Sequence, residues 1–240
     1  MNAPGVPVSV TDRGGLPSGP STTPQHALEG LRHAIVTGRL RPGGRVPQEA
    51  IAAELGVSIA PVREALRTLE QEGQVTYLPR RGYFVTTLDV RDLEEIYELR
   101  SVLETRAARR ALATIDEHSL ERVILAARDC ADAVDAADVA AELKANRRFH
   151  FAILESPDQP HTMRLIRLLW DSTEAYRAIY YNSPAERLNA IRAHDRIIEA
   201  VRERDADRLV AELDAHRDRA LTVLREILSR TDSSTGRPAA

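Results

Sequence analysis

The sequence predicts a mainly α protein in two parts. Residues 25–87 form a block of three short helices and a hairpin, and residues 88–230 form an all-α six-helix bundle. Three observations predict this. The first block mixes short helical patterns with Gly and Pro punctuation. It ends in two β-like stretches, Val75–Tyr77 and Tyr83–Thr86. From 88 onward the apolar period is helical, with breaks near Thr114–Asp116, Ala136–Asp138, Ser156–Pro160, Asn182–Pro184 and Arg204–Asp207. Outside these parts, residues 1–24 carry five prolines and four glycines and no apolar period, which reads as a disordered arm. Residues 231–240 read as a frayed tail.

A chain of 240 residues that is 43% hydrophobic and 29% charged belongs with globular proteins rather than fibrous or disordered ones. No apolar run approaches the roughly 18 residues that cross a bilayer, and the first twenty residues lack a basic start and an apolar stretch. The expectation is a cytoplasmic protein with no membrane partner. The single cysteine, Cys130, excludes an internal disulfide framework and a multi-cysteine zinc site, so a bound metal would rely on His, Asp, Glu or Asn. Charge is unevenly placed: residues 25–87 hold 8 Arg and 6 acidic groups (8 − 6 = +2), whereas 88–230 hold 23 basic and 28 acidic groups (23 − 28 = −5). The first block is the candidate for a polyanion partner.

In that block, Gln25–Thr37 places Leu28, Leu31, Ala34 and Ile35 on one helical face, closed by Gly38. A second short helix spans Gln48–Leu55. Gly56 then supplies a left-handed turn residue, and Ser58 stands where a helix N-cap would accept from the next turn. The third helix turns Val62, Ala65, Leu66 and Leu69 inward and stacks Arg63, Arg67 and Glu70 outside. Two helices joined by a Gly-centred turn, the second opening on small residues and then arginines, give a helix-turn-helix layout. Ile59 and Ala60 let the helix start approach base edges, and Arg63 reaches a guanine edge or a phosphate. The hairpin tip carries Arg80, Arg81 and Gly82, a wing suited to the phosphate backbone. The competing reading is a three-helix packing unit with solvated arginines.

The run from Gly56 to Gly73 (GVSIAPVREALRTLEQEG), followed by Arg80-Arg81-Gly82-Tyr83-Phe84-Val85, resembles the winged helix-turn-helix of GntR-family bacterial transcription regulators. The resemblance implies operator contacts by Ser58, Ile59, Ala60 and Arg63, with Gly82 of the wing close to the DNA. Ile59 stands where some members carry a polar or basic contact, and Glu49 where some carry arginine.

In the second region, His150 shares a stripe with Leu143, Asn146, Ile153 and Leu154; His194 with Ile191, Ile198 and Val201; His216 with Leu209, Leu213, Val223 and Ile227. Three inward histidines on three helices can converge inside a bundle, where unpartnered polarity is costly. With an amide or carboxylate oxygen, three imidazoles suit a divalent metal such as Zn or Ni. The alternative is three hydrogen-bonded core histidines. His26, His33, His118 and His161 read as surface or cap residues.

Leu99-Arg100-Ser101-Val102-Leu103-Glu104 and Asn146-Arg147-Arg148-Phe149-His150 resemble the opening helix and first ligand motif of the FCD effector domain. His194 and His216 fall at its later ligand positions. The resemblance implies metal ligation by Asn146, His150, His194 and His216, with Asn146 standing where the family usually has aspartate. It also points Arg100 into an effector cavity, where a guanidinium fork can clamp a small carboxylate metabolite. The alternative for Arg100 is an interhelical salt bridge. Tyr97, one turn before Arg100, and Tyr176, Arg177 and Tyr180, on a helix read as Thr162–Tyr181, are further pocket candidates.

These readings converge on a homodimeric regulator, a repressor in the first instance, binding double-stranded operator DNA under the control of a small organic acid. Two rivals stand beside it: an all-α metal-dependent hydrolase with an accessory nucleic-acid domain, and a regulator that senses the metal itself.

Overall fold

The structure, a computed structural model, describes residues 23–156 and 158–235, with side chains described as far as Ser229. Residues 1–22 of the expected arm and 236–240 of the expected tail lie outside it. Helix α1 (Thr23–Val36) begins two residues before the expected start at Gln25. Helices α2 (Gln48–Glu54) and α3 (Ile59–Gln71) follow, and strands β1 (Val75–Leu78) and β2 (Gly82–Val85) pair antiparallel with Leu78 opposite Gly82. A single bridge from Arg45 to Phe84 ties the α1–α2 loop onto the hairpin. Ala27, Leu31, Ile35, Ile51, Val62, Leu66, Leu69, Val75 and Val85 meet in one buried cluster. One face of each element therefore supplies the block's core.

The second region holds seven helices among the described residues where six were expected: α4 (Val90–Thr114), α5 (Glu117–Asp135), α6 (Val139–Leu154), α7 (Pro160–Ser172), α8 (Glu174–Tyr181), α9 (Pro184–Glu203) and α10 (Ala206–Thr235). The helix expected over Thr162–Tyr181 is broken at Thr173. The Thr173 hydroxyl bonds back to the carbonyls of Leu169 and Trp170, and its backbone sits at φ −101° and ψ 6°. Such back-bonding competes with the helical ladder and bends it, without the Gly or Pro that marks a break in sequence. Helix α10 runs on through Thr235, into the stretch read as a tail. An Asp89/Asp92 capping box starts α4, and Asp116 and Asp138 cap α5 and α6.

The two regions share a seam. Val36 of α1 lies in one buried cluster with Leu93, Tyr97, Tyr176 and Tyr180, while Ala175 of α8 packs against the first block's core. The Leu88 amide donates to the Tyr176 hydroxyl at 2.7 Å. Gly73, at φ 74°, passes so close to α7 that an added Cβ would meet Ser172 Cβ at 3.3 Å. A side chain there is disfavoured by both conformation and space.

Candidate functional site

The outer face of the first block is built around the start of α3. Ser58 takes extended backbone at the N-cap, yet its side chain makes no capping hydrogen bond. The N-cap position is the expected one, but the expected capping bond is not made. This leaves the exposed hydroxyl and the first-turn N–H groups of α3 available to an outside acceptor such as a phosphate. Ala60, Arg63 and Arg67 are exposed and Ile59 half-buried beside them. At the hairpin tip Arg80 holds φ 63° and Gly82 φ 90°. Arg80 and Arg81 are exposed, and the Arg81 guanidinium lies 5.2 Å over the Phe84 ring. A Cβ on Gly82 would meet Arg45 Nε and Gln48 Nε2, each at 3.9 Å. Arg45 and Gln48 thus join this face. Sequence reading missed them, because it is backbone pairing of Gly43–Val46 with Tyr83–Val85 that carries the α1–α2 loop to the hairpin.

The second site lies inside the bundle, in a cavity of about 30 Å³ lined by Tyr97, Arg100, Glu104, Asn146, His150, Trp170, Arg177 and His216 among others. Glu104 organises one wall. It accepts from Arg100 Nε at 2.8 Å, from Trp170 Nε1 at 2.7 Å and from Arg217 Nη1 at 2.5 Å. Burial alone would raise its carboxyl, but Arg100 and Arg217 hold it below the ordinary range. Arg217 also reaches Asp214. Arg100 is therefore occupied by a carboxylate of its own helix, with its guanidinium between the rings of Tyr97 (4.9 Å) and Trp170 (4.4 Å).

Arg177 has no such partner. Its guanidinium stacks 4.3 Å over Trp170, it is 5% exposed, and none of its three nitrogens meets an acceptor among the described residues. Burial pushes its pKa below the ordinary value. An unpaired buried guanidinium is costly unless an anion neutralises it.

Beyond it the three histidines meet. The ring centroids of His150 and His216 lie 5.1 Å apart, of His194 and His216 5.2 Å, and of His150 and His194 5.5 Å. One nitrogen from each lies within 4.8 Å of the others. Burial, then the neighbouring imidazoles, holds His150 and His194 well below the usual histidine range. Burial with the nearby Arg100 and Arg217 brings His216 to about 4. All three are neutral at pH 7, the form that ligates metals. Both nitrogens of His194, Nδ1 of His150 and Oδ1 of buried Asn146 have no partner among the described residues. Hydrogen-bonded core histidines would not be left so. This set of neutral donors fits a divalent ion. The remaining histidines, His26, His33, His118 and His161, are exposed.

Of the pocket candidates, Tyr97, Arg100, Arg177 and Tyr180 line this cavity with Asn146, His150 and His216, while His194 joins through the histidine cluster. Tyr176 instead turns to Leu88. Glu104, Trp170 and Arg217 were not singled out from sequence. A carboxylate four residues after an arginine reads equally as a solvated helical pair.

Comparison with known proteins matches residues 23–85 to the model of bacterial regulatory proteins, gntR family, and 95–219 to the FCD domain. The chain is 30% identical over 209 residues to the Nta operon transcriptional regulator of Aminobacter aminovorans, covering 83% of this chain and 97% of that one. It is 27% identical over 199 residues to the HTH-type transcriptional regulator YdhC of Bacillus subtilis, covering 82% and 89%. Among solved structures, E. coli McbR/YncC superposes with a TM-score of 0.75 at 25% identity, covering 85% of this chain and 98% of that one. Each of these relatives is a regulator, and none is an enzyme. The chain belongs to the gntR family of bacterial regulatory proteins, a transcriptional regulator rather than an enzyme, with an FCD domain as its C-terminal part.

Proposed function

We propose that this regulator is a cytoplasmic homodimer that represses transcription from double-stranded operator DNA and answers to a small carboxylate metabolite. The observation that carries the effector half is Arg177, a buried cation with no hydrogen bond or ion pair among the described residues. In the reader, Ser58, Ile59, Ala60, Arg63 and Arg67 meet one groove, and Arg80, Arg81 and Gly82 lie along the neighbouring backbone. Their exposure and the uncapped start of α3 support this. No helix among the described residues is long and apolar enough to cross a membrane.

In the sensor, Asn146, His150, His194 and His216 would hold a divalent ion, zinc or nickel by donor type. A bound ion supplies Lewis-acid positive charge facing one oxygen of the effector. This chain's residues do the rest. Arg177 neutralises and orients the carboxylate, Tyr97 and Trp170 wall off water, and Glu104 keeps Arg100 fixed at the rim. The four donors are uncharged, so they leave the ion's charge in place beside Arg177, and an anion is favoured twice over. That disfavours a sensor of the metal alone, which would add positive charge next to an unpaired guanidinium. Effector control follows if the acid binds the two arrangements of the readers with different affinity.

A mobility shift with the DNA upstream of the protein's own gene, repeated with acetate, lactate and pyruvate, tests the reading. Specific retardation relieved by an acid supports it. Retardation indifferent to every acid, with no acid-induced rise in Tm, overturns the effector half.

A further inference from the structure

The inner cavity is too small for most metabolites. At about 30 Å³ it has room for two waters or one carboxyl group, whereas small-molecule sites run to roughly 300–1,000 Å³. Two of its wall residues, Tyr180 and His216, also line a second space on the far side, an outer groove of about 440 Å³ between α8, α9 and α10. His216 is half-buried where His150 and His194 are buried, as a side chain facing both spaces must be.

The groove is cationic like the cavity, but its Arg192 is exposed where Arg177 is buried. Asn189, Arg192 and Arg196 of α9 and Arg219 of α10 line it. Glu186 holds Arg219 through two hydrogen bonds, and Glu212 holds Arg196 at 2.8 Å. Arg192 reaches only the side-chain oxygen of Asn189 and forms no ion pair among the described residues. One cation lacks a carboxylate inside the wall and one outside it. The wall is pinned from the groove side, because the Tyr180 hydroxyl donates to Glu186 Oε2 at 3.3 Å, where Asn189 Nδ2 also donates.

We infer that cavity and groove are the two ends of one elongated site, parted by Tyr180 and His216, whose ligand is a chain-extended dicarboxylate. One carboxylate takes Arg177 inside, and the other takes Arg192 in the groove, with Arg196 and Arg219 adding to the field. This rests on Arg177 being the inner anchor. A monoacid fills only the inner end. A diacid that spans the wall must displace His216 of α10 or Tyr180 of α8, and through Tyr180 it acts on the helix whose Ala175 packs on the reader.

The test is calorimetric titration of the full-length protein with acetate and butyrate against succinate, glutarate and adipate. At least one diacid should bind about tenfold tighter than either monoacid, the worth of one charge-assisted contact. Arg192→Ala should bring that ratio close to one, and Arg192→Lys should keep part of it. Diacids no tighter than monoacids, or a ratio untouched by Arg192→Ala, overturn the inference while leaving Arg177 as a monoacid anchor. If no acid of either kind binds, the reading of Arg177 fails first and this one falls with it.

Discussion

The guanidinium of Arg177 lies 4.3 Å over the Trp170 ring with no acceptor for its nitrogens among the described residues, while Arg100, 4.4 Å from the same ring, is held by Glu104. Two buried arginines on one indole thus have opposite energetics. Removing an unneutralised buried charge relieves desolvation, so Arg177→Met should leave the melting temperature of the acid-free protein equal or higher. The same variant should lose any rise in Tm on adding acid, because the ligand then gains nothing by binding the folded form. Differential scanning fluorimetry decides it. A large drop in Tm without acid would mean that Arg177 is a structural residue.

Glu104 carries the reverse expectation. Glu104→Gln leaves Arg100 without a carboxylate and Arg217 with Asp214 alone, a loss of about 3–5 kcal/mol by analogy with other broken buried pairs. Because the two arginines hold the folded carboxyl below its unfolded value near 4.3, the unfolded chain binds the proton first as pH falls. The stabilisation is full above that value and lost as pH falls through the folded pKa. Urea melts at neutral and acid pH should show a shallower acid loss for Glu104→Gln than for wild type, and equal slopes would refute the role.

Much of this was legible in the sequence, and the limits are physical. Gly56 and the outward spacing of Arg63 and Arg67 are local signals, so the turn and its exposed face are seen in the structure where periodicity put them. The inward positions of His150, His194 and His216 follow from helical period, and their rings do meet. Period cannot tell a paired buried charge from an unpaired one. Arg100 and Arg177 look alike in one dimension, and only the position of Glu104 separates them. Nor does a helix broken by a threonine hydroxyl announce itself, which is why α7 and α8 read as one.

On the reader face, Arg63→Ala should weaken specific DNA binding by about 1–3 kcal/mol with unchanged circular dichroism. Arg81→Ala should act instead on non-specific affinity and lower the slope of log affinity against log salt by about one charge. Fluorescence anisotropy with operator and scrambled duplexes separates the two. Full operator affinity in a folded Arg63→Ala protein would remove α3 as the reading helix.

The proposed homodimer has a candidate face in the sensor. Val102 is 70% exposed and Leu99 47% on α4, with Leu165 and Leu168 exposed on the neighbouring α7. A short recognition helix reads too few base pairs alone, so paired readers held by this apolar surface are expected. Light scattering at micromolar concentration should give twice the chain mass. Val102→Arg should shift it toward the monomer and weaken operator binding together, and a Val102→Arg protein that stays dimeric would place the interface elsewhere.

The last expectation concerns the histidine cluster, where His194 has two ring nitrogens and Asn146 an amide oxygen with no partner among the described residues. If these donors share an ion, the purified protein holds up to one divalent metal per chain. Chelation should then lower Tm, since the ion binds the folded form and little else. His194→Ala should lose the metal while largely sparing operator affinity, because the reader's core is a separate cluster from the one that holds the histidines' neighbours. Asn146→Asp replaces a neutral oxygen donor by a charged one and should tighten metal binding. Elemental analysis after supplementation with zinc or nickel is the deciding measurement. A wild-type site that stays empty, and stays empty in Asn146→Asp as well, would leave the histidine nitrogens to the effector itself, and the ion would drop out of the account of how the acid is held.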